Sequence, residues 1–346
     1  VNSNSDTKPS PDTNTDEEHQ EDRLVLNYPF PSIVAGKGSM LNDFQISSDG
    51  SVLYIVDTSI IGLTPAIIVF NTATRSSYRI LSEYKQLFGK SLLMNIGTGT
   101  GTGGSDNNGD SVYINRSESE STTQSTISTI STMSMPNLGP VGLRIHVDSI
   151  ALSDDDNTLF VGALTNHGLY SIDMETVLLH TVQSHGSHPT TDTGVVVSDH
   201  VNVLINHTIS RVSLTDTLHN PIDKPVSDGI YYSNGLLYVT ACEYNSIGIY
   251  KQQPVGSTPG HNPTQPVSFI LQEYIQDTAH LRWPDGLAID TSNTKNIDTS
   301  DSDNDNNKGT LYITNSALHF KFHHHGVSTS TLAQRYGPFH ILKMKL

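Results

Sequence analysis

Acidic residues recur at one position of a repeated sequence pattern. Asp148 begins the segment DSIALS, Asp228 begins DGIYYS and Asp285 begins DGLAID, so each acid stands directly before a short, mostly apolar run. The pair Asn42 and Asp43 begins a similar run near the start of the chain. Residues at one position of a sequence repeat occupy the same position in each structural unit. We call these residues the strand heads, because each stands at the start of a strand, and we expect them to lie close together.

Carboxylates that converge repel one another unless a cation or a hydrogen-bond donor lies between them. Oxygen-rich clusters suit Ca²⁺ or another hard divalent cation, so Asp148, Asp228 and Asp285 are candidate metal ligands. Together with Asn42 and Asp43 they are also candidates for binding a small organic ligand. The alternative interpretation is structural, with each aspartate capping backbone N–H groups of the neighbouring unit.

Three more polar residues and one aromatic residue stand close to the same strand ends. Glu243 and Asn245 follow the run LLYVT, and Asn315 follows LYIT. Ordinary loop polarity is the alternative explanation for all three. Trp283, the single tryptophan of the chain, would either stack on a ring-shaped ligand or wedge between two units.

Other sequence features give weaker indications of chemistry. Cys242 is the single cysteine, so no disulfide forms within the chain, and a buried, inert thiol is the favoured interpretation. His319 and the run 323–325 suggest zinc at first sight. Adjacent histidines in a strand point to opposite faces, which favours a polar loop. We find no Ser-His-Asp set and no phosphate-binding glycine loop.

The elements that must position these residues are β-strands. Each unit has an Asp-headed strand, a polar turn, a strand with a Leu-aromatic motif, a loop and a third strand, and the pattern occurs four times. Asp49-Gly50 and Asn234-Gly235 are typical hairpin turns between the first two strands. A single such sheet cannot bury both faces, whereas units stacked around an axis can. We therefore predict an all-β fold of the β-propeller type; the alternative is a β-sandwich.

Composition limits the class of partner. The 346 residues include 19 Lys and Arg against 35 Asp and Glu, a formal net charge of -16. Such a chain repels phosphate backbones and anionic membrane surfaces, so we expect no nucleic-acid partner. It has no apolar run of the ~20 residues that span a bilayer. Residues 1–23 and the insertions at about 97–136 and 291–308 are polar and of low complexity, and we predict that they are disordered.

Several segments, taken in order, resemble the major royal jelly/yellow family. They are FPSIVAGKGSMLNDF (30–44), LYIVDTS (53–59), LRWPDGLA (281–288) and YITNSALH (312–319). The resemblance implies a six-bladed propeller that is usually secreted and has a pocket on its central axis. About four blades are visible in residues 24–346, so we expect the chain to be a C-terminal portion that lacks roughly two blades. The related gluconolactonase-like propellers hold a metal with Glu, Asn and Asp at the strand mouths.

Two classes of function follow from this resemblance. The first is a secreted protein that binds a small organic ligand, such as an amine, at the channel mouth without converting it. The second is a metal-dependent enzyme, either a lactonase-like hydrolase or an isomerase of oxidised catechols, with Asp228 or Glu243 as the candidate base. A structural extracellular protein is a third alternative, since fold does not decide among them.

Overall fold

A computed structural model describes residues 26–82, 84–90, 92–94, 141–178, 209–254, 267–277, 280–281, 283–290, 309–316 and 340–345. The segments predicted to be disordered, at 1–23, about 97–136 and 291–308, lie outside these residues. So do His319 and the histidines at 323–325. The described part of the chain is built almost entirely of antiparallel β-sheet.

Four sheets form the blades. Blade 1 contains β1 (Leu41–Ile46), β2 (Val52–Asp57), β3 (Ala66–Asn71) and β4 (Ser76–Ile80). Blade 2 contains β7 (Val147–Leu152), β8 (Thr158–Ala163), β9 (Leu169–Asp173) and β10 (Ile209–Arg211). Blade 3 contains β13 (Ile230–Ser233), β14 (Leu236–Ala241), β15 (Ser246–Gln252) and β16 (Ser268–Gln276). Blade 4 contains β17 (Pro284–Asp290), β18 (Thr310–Asn315) and β19 (His340–Lys345).

Smaller elements connect and extend these sheets. The pair β5 (Leu92–Met94) and β6 (Val141–Leu143) lies between blades 1 and 2 in sequence. β11 (Ser213–Thr215) pairs parallel to β16 and antiparallel to β12 (Pro221–Ile222), which widens blade 3. Lys85–Leu87 and Cys242–Tyr244 form 3₁₀ turns, and residues 174–178 form a short helix. Among the described residues, no helix has the length and apolar character needed to cross a membrane.

Tight turns join the first two strands of each of the first three blades. Asn234 and Gly235 have φ values of 52° and 75°, as a two-residue hairpin turn requires. Gly50 takes a φ of 72° at the corresponding turn of blade 1. These are the Asn-Gly and Asp-Gly turns that the sequence predicts.

The apolar core lies between neighbouring blades. One cluster joins β2 and β3 of blade 1 to β7 and β8 of blade 2, with Ile67, Ile150 and Val161 at its centre. A second joins blades 2 and 3, and a third joins blades 3 and 4 through Tyr238 and Leu311. The inner strands lie side by side in the order β1, β7, β13, β17. This radial stacking is a β-propeller, and it confirms the predicted fold class with four visible blades. The expectation that two further blades complete a six-bladed ring stays a prediction.

The strand heads coincide with irregularities in strand pairing. The register shifts between Leu41 and Phe44, between Val147 and Ser149, and between Pro284 and Leu287. Each shift therefore spans one of the acidic heads. A β-bulge redirects the side chain at the extra residue, so the bulges place the heads of blades 1, 2 and 4 differently from the regular part of the strand.

Candidate functional site

The four strand heads do come together at one end of the propeller axis. We call Asp43, Asp148, Asp228 and Asp285 the axial carboxyl cluster. Asp148 of blade 2 accepts hydrogen bonds from the Asn42 side-chain amide and, at 3.1 Å, from the Thr58 hydroxyl. Both donors belong to blade 1, so Asp148 links two blades through side chains.

Asp148 and Asp228 form the buried centre of the cluster. Their residues are only 5% and 6% exposed. Burial raises the pKa of Asp148 well above its ordinary value, and repulsion from Asp228 and a carboxyl–carboxyl hydrogen bond with it act in the same direction. The hydrogen bond from Thr58 lowers that pKa without offsetting the other causes. The protonated form of Asp148 is therefore favoured over its charged form.

Asp228 is held in place by blade 4 and by its own blade. Its Oδ2 accepts a hydrogen bond from the indole N–H of Trp283. The Thr240 hydroxyl accepts the backbone N–H groups of Asp228 at 3.1 Å and of Gly229 at 2.9 Å. Trp283 is fully buried, and its bond to Asp228 joins the segment before β17 to the head of blade 3; this burial favours the packing role over stacking on a ligand.

Asp285 and Asp43 are the more accessible members of the cluster. Burial, followed by repulsion from Asp228 and Asp43, raises the pKa of Asp285 to about 7. Burial also raises the pKa of Asp43 to about 6, although backbone N–H groups of Phe44 and Ile150 act in the opposite direction. Carboxyl groups with these pKa values change their charge near neutral pH, which ordinary surface carboxylates do not.

Close backbone contact holds blades 3 and 4 together beside the cluster. A Cβ atom on Gly229 would lie 1.8 Å from the carbonyl oxygen of Asp285. No side chain larger than a hydrogen atom fits at that distance. The glycine after Asp228 is therefore a packing requirement that lets two neighbouring heads approach each other.

Sequence reasoning missed Lys224, which is 1% exposed and lies near the cluster. Its Nζ donates to the Pro225 carbonyl at 2.9 Å. Burial lowers the pKa of Lys224 to about 8, whereas Cys242, Asp148 and Asp228 act to raise it. The available signal was a single lysine shortly before an Asp-headed strand in a chain with only 19 basic residues.

The other predicted site residues lie at the same end but not all in the cluster. Glu243 is half-buried and acts on the pKa of Lys224. Asn245 is buried at the left-handed end of a 3₁₀ turn, where its carbonyl accepts the Asp277 N–H at 3.1 Å. Asn315 donates to the His280 carbonyl, while its buried Oδ1 has no partner among the described residues.

Cys242 is buried, as the sequence predicts. Its thiol contacts the Pro284 carbonyl oxygen at 3.5 Å. Burial and the nearby charge of Asp228 raise its pKa well above the ordinary value. The group therefore stays a neutral thiol at physiological pH, and a thiol is a poor nucleophile.

Backbone capping between blades, the alternative interpretation of the heads, occurs mainly at the opposite end of the propeller. Asp156 in the turn of blade 2 accepts the Ser48 N–H of blade 1 at 2.9 Å. Asp154 accepts the Asn234 N–H of blade 3 at 2.7 Å. Of the heads, Asp43 also accepts a backbone N–H from the neighbouring blade, whereas side-chain donors bind Asp148 and Asp228.

The described residues contain no group of three or more His, Cys, Asp or Glu side chains in an arrangement that could hold a metal ion. A cavity of about 280 Å³ lies at the opposite end, between the turn of blade 2 and blade 3, where Asp154, Asp155 and Tyr232 line it. It is separate from the axial carboxyl cluster.

Fold and site together define a β-propeller in which the starts of four inner strands bring four carboxyl groups to one axial mouth, with a buried lysine from the segment before β13 nearby. No family model matches the chain, and no curated protein matches it.

Among solved structures, the chain is similar to the Kuenenia stuttgartiensis hydrazine synthase, with 11% identity, a TM-score of 0.33, and coverage of 63% of this chain and 47% of that one. It is also similar to a humanized mutant of the Chaetomium thermophilum Polycomb Repressive Complex 2 bound to the inhibitor GSK343, with 10% identity, a TM-score of 0.35, and coverage of 88% and 57%. It is similar as well to Kluyveromyces lactis Hsv2, with 9% identity, a TM-score of 0.28, and coverage of 70% of this chain and 49% of that one. The chain thus spans less than two thirds of these structures. The β-propeller assignment rests on the four sheets and their radial stacking.

Proposed function

We propose that this β-propeller binds a small organic cation at its axial mouth, with the axial carboxyl cluster as the acceptor of the positive charge. The observation that carries the proposal is the convergence of four carboxyl groups from four different blades. Asp43 and Asp285 are only partly buried, so a ligand that enters from the mouth meets them first.

Electrostatics support a cationic ligand. Carboxyl groups whose pKa values rise to about 6 and about 7 are destabilised in their charged form. A ligand ammonium group removes this destabilisation by hydrogen bonding to the carboxylates and offsetting their repulsion. An anionic ligand would increase the repulsion.

The resemblance to the major royal jelly/yellow family supports the same ligand class and adds secretion to the proposal. The alternatives of a metal-dependent enzyme and of a structural protein stay hypotheses. The described residues offer no observation that favours either.

Calorimetry with two matched probes tests the proposal. Tyramine and 4-ethylphenol share a phenol ring and a two-carbon chain, and only tyramine carries an ammonium group. We expect tyramine to bind at pH 7.5 at least about tenfold more tightly, since a charge-assisted hydrogen bond contributes about 1.5 to 3 kcal/mol.

A matched pair of variants locates the binding site. Asp285→Asn should weaken tyramine binding roughly tenfold. Glu273→Gln removes the same charge from an exposed position on β16, and it should leave binding unchanged. Equal affinities for the two probes, or equal tyramine affinities for the two variants, would contradict the proposal.

A further inference from the structure

Lys224 is an unusual residue because it is a buried lysine that forms no ion pair with any described residue. It is 1% exposed, and among the described residues the one hydrogen bond of its ammonium group is to the Pro225 carbonyl. The ion pairs of the described residues involve Arg79, Arg211 and His280 but not Lys224. A buried ammonium group costs several kcal/mol unless nearby negative charge offsets that cost.

The lysine side chain reaches from blade 3 onto blade 2. A Cβ atom on Gly162 of β8 would lie 3.2 Å from the Lys224 Cε and 3.1 Å from the Ser149 hydroxyl. Ser149 follows Asp148 directly in β7, so the lysine stem passes beside the head of blade 2. The glycine in β8 leaves the space through which this stem passes.

The groups that face the ammonium group are mostly acidic. They are the thiol of Cys242, the carboxyl groups of Asp148 and Asp228, and that of Glu243. Asp148 and Asp228 interact with each other and with Asp285. The lysine therefore lies near the buried centre of the axial carboxyl cluster, and the ion pairs found among the described residues do not include it.

We propose that Lys224 is a positioning residue of the axial mouth and that its ammonium group is the internal counter-charge of Asp148 and Asp228, the buried centre of the axial carboxyl cluster. In the ligand-free protein this charge offsets the repulsion among the strand heads and favours their ionised forms. The electrostatic role stands independently of the proposed function. Its consequence for affinity rests on that function, because a cationic ligand then shares the carboxylates with Lys224.

The role predicts a change in the titration of the carboxyl groups. A nearby opposite charge lowers a carboxyl pKa by about one to three units, so removing the ammonium charge should raise the pKa of the carboxyl groups beside it by at least about one unit. Lys224→Met keeps the length and apolar stem of the side chain and removes only the charge. Lys251→Met removes the same charge from an exposed position on β15 and is the matched control.

The measurement is the pH titration of the ¹³C-labelled aspartate carboxyl signals in the full chain. Ordinary carboxyl groups titrate near pH 4, so signals with midpoints above about pH 5.5 belong to the cluster, and Asp148→Asn assigns the signal of Asp148. We expect the Asp148 midpoint to rise by at least about one pH unit in Lys224→Met and to stay within about 0.2 units in Lys251→Met. Unchanged midpoints in Lys224→Met would overturn the proposal.

A second variant and a wild-type measurement cover the case in which Lys224→Met does not fold. Lys224→Gln retains a donor for the Pro225 carbonyl and should give the same shift. In wild-type protein with labelled lysine, one ¹³Cε signal should titrate near pH 8, well below the ordinary value of about 10.4. A lysine signal with a midpoint below about pH 7 would overturn the proposal, because Lys224 would then be neutral at physiological pH.

Binding measurements separate this inference from the proposed function. At pH 7.5, below the Lys224 pKa of about 8, we expect Lys224→Met to bind tyramine about tenfold more tightly than wild type, because no internal cation competes. A carboxyl shift without tyramine binding to either protein would support the lysine role and contradict the proposed function. Tyramine binding that depends on Asp285, with no carboxyl shift in Lys224→Met, would support the proposed function and contradict the lysine role.

Discussion

At the scale of single residues, the site is defined by aspartates whose surroundings oppose their charge. Burial and mutual repulsion raise the pKa of Asp43, Asp148 and Asp285. By contrast, hydrogen bonds from Ser47 and Ser51 lower the pKa of Asp49 to about 2 in an exposed turn. An ionised aspartate therefore stabilises the fold in the exposed turn and destabilises it at the axial mouth. A cationic ligand would offset that destabilisation.

This contrast predicts how the stability of the ligand-free protein depends on pH. A carboxyl group whose folded pKa lies above its unfolded value stabilises the fold below the unfolded pKa, and that contribution is lost as pH rises through the folded pKa. For Asp285 the window runs from about pH 4 to about pH 7. Asp285→Asn stays neutral, so its melting temperature should exceed that of wild type by an amount that grows between pH 5 and pH 8.

Differential scanning calorimetry at several pH values measures this difference. The exposed Glu273→Gln serves as the control and should differ from wild type by a constant amount. A gap for Asp285→Asn that stays constant or shrinks toward pH 8 would show that Asp285 is not destabilised by its charge.

At the scale of elements, bulges and glycines bring the strand heads together. The register shifts at three heads turn their side chains out of the regular alternation of the strand. In blade 3 the head precedes β13, and Thr240 binds its backbone N–H groups. Gly229 then allows the backbones of blades 3 and 4 to come into contact.

Gly229→Ala tests this backbone contact. The added Cβ would meet the Asp285 carbonyl at 1.8 Å, so the inner strands must separate, and we expect a loss of about 2 to 3 kcal/mol in the free energy of unfolding. Gly235→Ala is the control, because its φ is positive but no atom lies within 4 Å of the added Cβ. That substitution should cost about 1 kcal/mol. Urea denaturation gives both values, and equal losses would mean that the blades are not in contact at Gly229.

At the scale of the whole molecule, the blades are packed unequally. In blade 1, β2 and β3 are buried, whereas the inner strand β1 carries three exposed apolar side chains, Leu41 at 40%, Phe44 at 57% and Ile46 at 50% exposure. In a completed propeller an inner strand is covered on both sides by neighbouring blades. The exposure agrees with the expectation of further blades, which stays a prediction.

Substitutions in blade 1 test whether β1 is covered in this chain. Phe44→Ser should change the free energy of unfolding by less than about 1 kcal/mol, because the side chain is mostly exposed. Ile67→Ala in the core between blades 1 and 2 should cost about 2 to 5 kcal/mol. If Phe44→Ser costs as much as Ile67→Ala in urea denaturation, another surface covers β1 in solution.

The blades and the acids at the start of their inner strands could be predicted from the sequence, because both depend on local interactions. Strand alternation, the Asn-Gly and Asp-Gly turns and the repeated acid before each inner strand depend on neighbouring residues, so they were readable without a structure. The hydrogen-bond donors of each carboxylate depend on how the blades pack. Asn42 and Thr58, which donate to Asp148, belong to a different blade from it. Trp283 likewise belongs to a different blade from Asp228, to which it donates. The burial of Lys224 depends on Gly162 in a strand more than 60 residues away. The position of the acids thus followed from the sequence, whereas their charge was decided by tertiary structure, since desolvation and repulsion arise only once the blades have assembled.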